Sequence, residues 1–185
     1  MGTLGYGMIS SLDGYVTGAD GTFDWAEPDA EVHSFVNDRD RGVGTYLYGR
    51  RMFETMRVWA EDDWLDGAPE HIADYAQLWR AADKVVFSRT LSSVELPRTR
   101  LERRVDPAAI RALRDSTDTE LTVAGATLAA ELLRLGLVDE ITVYLVPVVV
   151  GGGLRMLPEI TLDLELIEER RFDSGFVYLR YAVRA

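Results

Sequence analysis

No cysteine occurs among the 185 residues of this chain, which excludes disulfides and thiolate metal sites. Histidine is almost absent: there are two. His33 and His71 stand apart in the sequence, so no metal site is implied. No apolar run approaches the roughly 20 residues of a membrane span. The start, Met1 to Ser11, lacks the basic segment of a secretory leader, and the cytoplasm is the expected compartment. Basic charge is scarce, with 20 Lys and Arg against 31 Asp and Glu and a net charge of −11. Nonspecific nucleic-acid binding needs a basic face and is disfavoured. A small anionic ligand is not, because local charge can oppose the global sign. Neither GxGxxG after the first strand nor GxxxxGK[ST] is present, so Rossmann and P-loop readings lack support.

What is present is one domain's worth of chain, 1–185, with apolar residues enough for a sizeable core. Strand-length apolar runs alternate with helical patterns. Leu4 to Ile9, Thr45 to Tyr48 and Lys84 to Ser88 read as strands. Asp29 to Arg39 has Val32, Phe35 and Val36 at helical spacing, Arg50 to Met56 reads as a short helix, and Pro69 suits the first turn of another. In that third helix Ile72, Tyr75, Ala76 and Trp79 make one apolar face. Asp106-Pro107 signals a helix through Arg114. Glu120 to Ala124, then Thr127 to Leu135 closed by Gly136, then Asp139 to Val150 form a strand–helix–strand unit. Such a unit implies a parallel pair with a right-handed crossover. Leu128, Leu132 and Leu135 lie on one side of its helix. Leu162, Leu164 and Leu166 alternate with acids, Asp173-Ser174-Gly175 is a turn, and Phe176 to Val183 is a strand. The expected fold is α/β: a mostly parallel central sheet, helices on both faces, and an antiparallel C-terminal hairpin.

Three strand ends carry small or basic residues: Tyr48-Gly49-Arg50-Arg51, Phe87-Ser88-Arg89-Thr90 and Ala124-Gly125-Ala126-Thr127. In open α/β sheets ligands bind beyond the carboxyl ends of the strands. Glycine lets a phosphate approach the backbone, a helix start supplies free N–H donors, and Arg50, Arg51 and Arg89 suit a phosphate. Each glycine could be a simple turn and each arginine a solvated helix end; it is the threefold recurrence that describes a nucleotide site. Valine at Gly125 is expected to abolish cofactor binding while the protein stays folded.

The order of segments resembles the dihydrofolate reductase superfamily, and within it the branch of the riboflavin-biosynthesis (RibD) C-terminal reductase domain. The resemblance is carried by Met8-Ile9-Ser10-Ser11-Leu12-Asp13-Gly14-Tyr15-Val16, by Leu47 to Glu54, by Lys84 to Leu91, and above all by Val123 to Leu128, Gly136 to Glu140 and Pro147 to Gly153. It implies NADPH as cofactor. Gly49, Arg50, Arg51, Ser88, Arg89 and Thr90 would sit by the adenosine phosphates. Ala124, Gly125, Ala126, Thr127 and Leu128 would hold the pyrophosphate, although many relatives carry a second glycine where this chain has Ala124 or Ala126. Gly21-Thr22-Phe23-Asp24-Trp25 is similar to the loop over the nicotinamide, and Trp25 could equally be a core aromatic. Asp13 and Glu31 complete the candidate catalytic set; each could equally be a turn or helix-start acid.

The implied activity is that of an NADPH-dependent reductase like 5-amino-6-(5-phosphoribosylamino)uracil reductase, passing hydride to a small heterocyclic or sugar-linked substrate. The alternatives are a dihydrofolate or pterin reductase and a nucleotide-binding protein without turnover. No attached zinc deaminase is expected, for the sequence has no His-x-Glu and no cysteine. The long apolar strand and the C-terminal hairpin offer more surface than the helices cover, so a homodimer is expected.

Overall fold

The structure, a computed structural model, describes residues 2–184. In chain order its elements are β1 (Leu4–Ser11), β2 (Tyr15–Thr17), α1 (Ala30–Asp40), β3 (Val43–Gly49), α2 (Arg50–Met56), α3 (Glu70–Ala81), β4 (Asp83–Phe87), β5 (Thr99–Glu102), α4 (Pro107–Asp115), β6 (Glu120–Ala124), α5 (Ala126–Arg134), β7 (Glu140–Val146), β8 (Leu154–Arg155), β9 (Leu164–Arg171) and β10 (Val177–Val183). Single 3-10 turns cover Asp24–Ala26 and Arg57–Ala60. Eight strands form one sheet in the order β5-β4-β3-β6-β1-β7-β10-β9, and β2 pairs with β8 apart from it. Neighbours from β5 to β7 are parallel, whereas β10 runs antiparallel to both β7 and β9. The expected sheet, with its antiparallel C-terminal pair, is therefore present.

Side-chain alternation along the strands builds two cores. Leu47 and Val85 point to the face covered by α4 and α5, where they meet Leu4, Tyr6, Leu121, Val123, Ile110, Leu128 and Leu132. Tyr46, Tyr48 and Val86 point to the other face, where α2 and α3 bring Phe53, Tyr75 and Trp79. Farther along that second face α1 sets Val32 against Tyr144, Val146 and Tyr178. Capping chemistry fixes several helix ends. The Asp29 carboxylate accepts the Val32 N–H at 2.9 Å, and Asp106 accepts that of Ala108 at 2.9 Å. Gly136, at φ +61, follows the end of α5 in the left-handed conformation that favours glycine.

A partly buried carboxyl stands at the second core. The Tyr46 hydroxyl donates to Asp40 at 2.9 Å. Burial nevertheless pushes the Asp40 carboxyl up to about 6, with the charge of Glu120 adding to the rise and that of Arg39 opposing it.

Three expectations change. The strand expected over Asp139 to Val150 ends at Val146, because Pro147 has no N–H for the ladder and the following loop turns toward β1. Leu135, expected on the buried side of its helix, is 39 % exposed, since it is the C-cap rather than part of the last turn. β5 and the small β2–β8 pair lie in segments that the sequence pattern left unassigned. β5 is four residues of alternating exposure at a sheet edge, too short and too polar to announce itself.

Candidate active site at the carboxyl end of the sheet

The three glycine- and arginine-bearing segments come together because their strands are neighbours in register. Gly49 stands opposite Phe87 and Tyr48 opposite Ala124. Each of the three strands then delivers its loop at the same level.

The start of α5 has no side-chain cap. Its first helical bond runs from the Ala129 N–H to the Gly125 carbonyl at 3.1 Å, so the N–H groups of Ala126, Thr127 and Leu128 are those a helix start leaves for a ligand. The side chains of Ala126 and Leu128 are 4 % and 6 % exposed and belong to the core. These two residues can therefore contribute only backbone donors, while Thr127 also offers an exposed hydroxyl. Gly125 is required by the fold itself, since its φ is +101. Gly49 is not: its φ is −73, and an added Cβ would find only Leu128 Cβ, at 3.8 Å. The glycine there leaves open space rather than relieving strain.

The cations divide into tied and untied. Arg50 donates to Glu54 at 2.7 Å and to the Thr90 hydroxyl at 2.9 Å. Arg51 and Arg89 are exposed, and among the described residues no carboxylate lies within ion-pair distance of either. Ser88 Oγ accepts the N–H groups of Thr90 at 3.2 Å and Leu91 at 3.1 Å, folding the loop into a tight turn. Free helix-start donors, an open glycine and two unpaired guanidiniums fit a phosphate-bearing ligand.

The candidate catalytic residues fare differently. Asp13 is a brace. Its carboxylate accepts from the Ser11 hydroxyl at 2.7 Å and from the N–H groups of Val150 at 3.2 Å and Gly151 at 2.7 Å. The Ser11 hydroxyl, with those two amides, holds the carboxyl below the usual carboxylate range. With its oxygens engaged by three donors, the carboxylate is committed to holding this loop. Glu31 points away: on the surface it pairs with Arg170 of β9 at 2.9 Å. Asp29, the neighbouring acid, is used in capping α1. Trp25 lies in the 3-10 turn that contacts β1 and packs against the buried cluster that contains Val32, Tyr144 and Val146. Its indole Nε1 is buried without a hydrogen-bond partner.

The glycine triplet sits beside this region. A Cβ on Gly153 would fall 1.9 Å from the Thr17 carbonyl oxygen, so only glycine allows β8 to approach β2. The Met156 N–H donates to the Gly14 carbonyl at 2.9 Å, and the buried Tyr6 hydroxyl donates to the Met156 carbonyl at 2.8 Å. Sequence reasoning missed the packing of His33 against His71, with ring centroids 5.0 Å apart. It also missed Arg103, whose contacts are described below. Among the described residues no group of His, Asp or Glu is placed to hold a metal ion, and no helix is long and apolar enough to cross a membrane.

The family model for the RibD C-terminal domain matches residues 3–178. The chain belongs to the RibD C-terminal domain family. A relative from Bacillus subtilis (strain 168), the uncharacterized protein YyaP, is 27 % identical over 178 residues, covering 94 % of this chain and 91 % of that one. Among solved structures, one from Shewanella sp. PV-4, named as a riboflavin biosynthesis protein, has a TM-score of 0.77 at 20 % identity and is covered to 99 % in both chains. The Thermotoga maritima diaminohydroxyphosphoribosylaminopyrimidine deaminase/5-amino-6-(5-phosphoribosylamino)uracil reductase has a TM-score of 0.68 at 13 % identity, with 99 % of this chain matching 57 % of that one. Dihydrofolate reductase from Enterococcus faecalis, solved with NADP(H), has a TM-score of 0.65 at 15 % identity, covering 99 % and 97 %. The RibD C-terminal domain therefore has the dihydrofolate-reductase-like fold in this chain.

Proposed function

We propose that this RibD-type domain is an NADPH-dependent reductase that passes hydride to a small heterocyclic or sugar-linked substrate, of the class handled by 5-amino-6-(5-phosphoribosylamino)uracil reductase. The observation that carries the reading is the convergence, at one level of the sheet, of the uncapped start of α5, the open Gly49 and the unpaired Arg51 and Arg89. NADPH supplies the hydride; the chain supplies binding, orientation and a partly dry surface. In this reading the Ala126, Thr127 and Leu128 amides hold the pyrophosphate, and Arg51 and Arg89 meet the 2′-phosphate. Trp25 covers the end of β1. Asp13 fixes the loop at Val150 and Gly151, and the proton would come from solvent.

A pterin or folate reductase is less well supported, because the two acids at the start of α1 are engaged elsewhere. Asp29 accepts from Val32 and Ser174, and Glu31 pairs with Arg170. A homodimer remains part of the proposal. Leu164 and Leu166, on β9 of the C-terminal hairpin, are 38 % and 47 % exposed. The decisive experiment is to titrate the purified protein with NADPH and then follow loss of the reduced-nicotinamide absorbance with ribosylaminopyrimidine and pterin substrates. Binding with turnover supports the reductase. Binding without turnover on any substrate leaves a nucleotide-binding protein, and absence of binding overturns the reading.

A further inference from the structure

Arg103 lies just past β5 and reaches back to the loop that follows β4. Its Nη1 donates to the carbonyl oxygens of Leu91 and, at 3.4 Å, Ser88, and its Nη2 donates to that of Ser92 at 3.1 Å. The loop has no helix or ladder of its own between Phe87 and Thr99. Its backbone is satisfied in another way. The Ser88 N–H donates to the Glu102 carbonyl at 2.9 Å, and the Thr90 and Leu91 amides donate to Ser88 Oγ. The outward carbonyls are left to Arg103. Among the described residues no carboxylate lies within ion-pair distance of Arg103, so its charge is directed at the loop alone. A planar fork of five donors can span three carbonyls; a lysine ammonium cannot. Arg50 in turn donates to the Thr90 hydroxyl at 2.9 Å. The turn that carries Arg89 is thus held by two guanidiniums, neither of which is Arg89 itself.

We propose that Arg103 is the positioning residue that sets the cofactor preference of this site, by holding the 88–92 turn so that Arg89 and Thr90 meet the 2′-phosphate. The inference rests on the NADPH reading above. It predicts a selective effect, because the turn addresses only the phosphate that distinguishes NADPH from NADH. The test uses Arg103→Met and Arg103→Lys, with calorimetric titration of both cofactors, amide hydrogen exchange of residues 88–92 in the free protein, and melting temperature as a folding control. In both variants NADPH affinity falls about tenfold, the equivalent of one lost charge-assisted hydrogen bond, while NADH affinity holds and exchange in the turn quickens. A parallel loss for NADH, or full retention by the lysine variant, overturns the positioning role. Unchanged exchange overturns the clamp by itself. A wild-type protein that binds NADPH and NADH equally overturns the cofactor reading, and the specificity role with it.

Discussion

A Cβ placed on Gly125 would stand 3.0 Å from the Cβ of Met52. The first turns of α5 and α2 therefore meet at a point where one side chain is the most that fits. Gly125 also has a φ of +101, which L side chains rarely adopt. Gly125→Val is thus expected to lower stability by about 1–3 kcal/mol from strain alone, in addition to any effect on a ligand. This replaces the expectation from sequence that the fold would be spared. A melting temperature equal to that of the wild type would show that the helix starts can separate freely.

Gly49 allows the separation of stability from binding that Gly125 does not. It is the N-cap of α2, in an ordinary extended conformation, with open space where a side chain would go. Aspartate is a better N-cap than glycine by a few tenths of a kcal/mol. Gly49→Asp should therefore keep or raise the melting temperature. The same carboxylate would face the phosphates and repel them, and NADPH affinity should fall by at least about tenfold, or roughly 1.4 kcal/mol. Intact affinity in this variant would remove Gly49 from the cofactor site.

Asp13 is expected to act through the loop it holds. In Asp13→Asn one of its two acceptor oxygens becomes a donor group, so the Gly151 and Val150 amides and the Ser11 hydroxyl cannot all be satisfied. Activity should fall through a higher substrate KM, with faster amide exchange at 150–153. The shape of the pH–rate profile should not change, because the wild-type carboxylate is already ionised across the working range. Loss of a titrating limb in the variant would restore Asp13 as an acid catalyst.

The division between legible and hidden features has a physical basis. The parallel strands and α5 were readable because Leu47, Val85, Val123, Leu128 and Leu132 repeat at the periods of buried elements. The three loop segments were readable because glycine and arginine follow strand ends. What the sequence could not reveal was which polar groups would already be occupied. Asp13, Glu31 and Arg50 look like functional residues, and each is tied to a partner in the fold: a loop 137 residues away, a strand 139 residues away and a loop 40 residues away. Arg103 gave no signal, because a side chain that donates to backbone carbonyls needs no partner of recognisable type.

The proposed dimer has its own test. Leu164 and Leu166 lie on the edge strand β9 and are 38 % and 47 % exposed. Exposed apolar edge strands are a liability that proteins cover or interrupt. The wild type should scatter light as a dimer at micromolar concentration, and Leu166→Glu should be monomeric with its fold intact. A monomeric wild type would sink the proposal.

Asp40 makes the last prediction, on pH. Its carboxyl is raised by burial to about 6 from the ordinary value of 3.8. For an acid raised on folding, the protonated form is the one the fold favours. The sign is therefore opposite to that of a salt-bridged carboxylate: this group's contribution is complete below the unfolded value and is lost as pH rises through the folded one. A rise of about 2 units corresponds to about 3 kcal/mol of stability given up by neutral pH. Asn is isosteric, carries no charge, and its amide oxygen can still accept the Tyr46 hydroxyl. Asp40→Asn should match the wild type near about pH 4 and exceed it progressively until about pH 7, where the gap approaches that figure. Urea melts of the two proteins across this range measure the difference directly, because acids elsewhere, such as Asp13 and Asp29, contribute equally to both. A gap that stays constant with pH would mean that Asp40 is charged in the native state throughout, and a loss of stability in the variant would mean that the carboxylate's hydrogen bonds outweigh its burial.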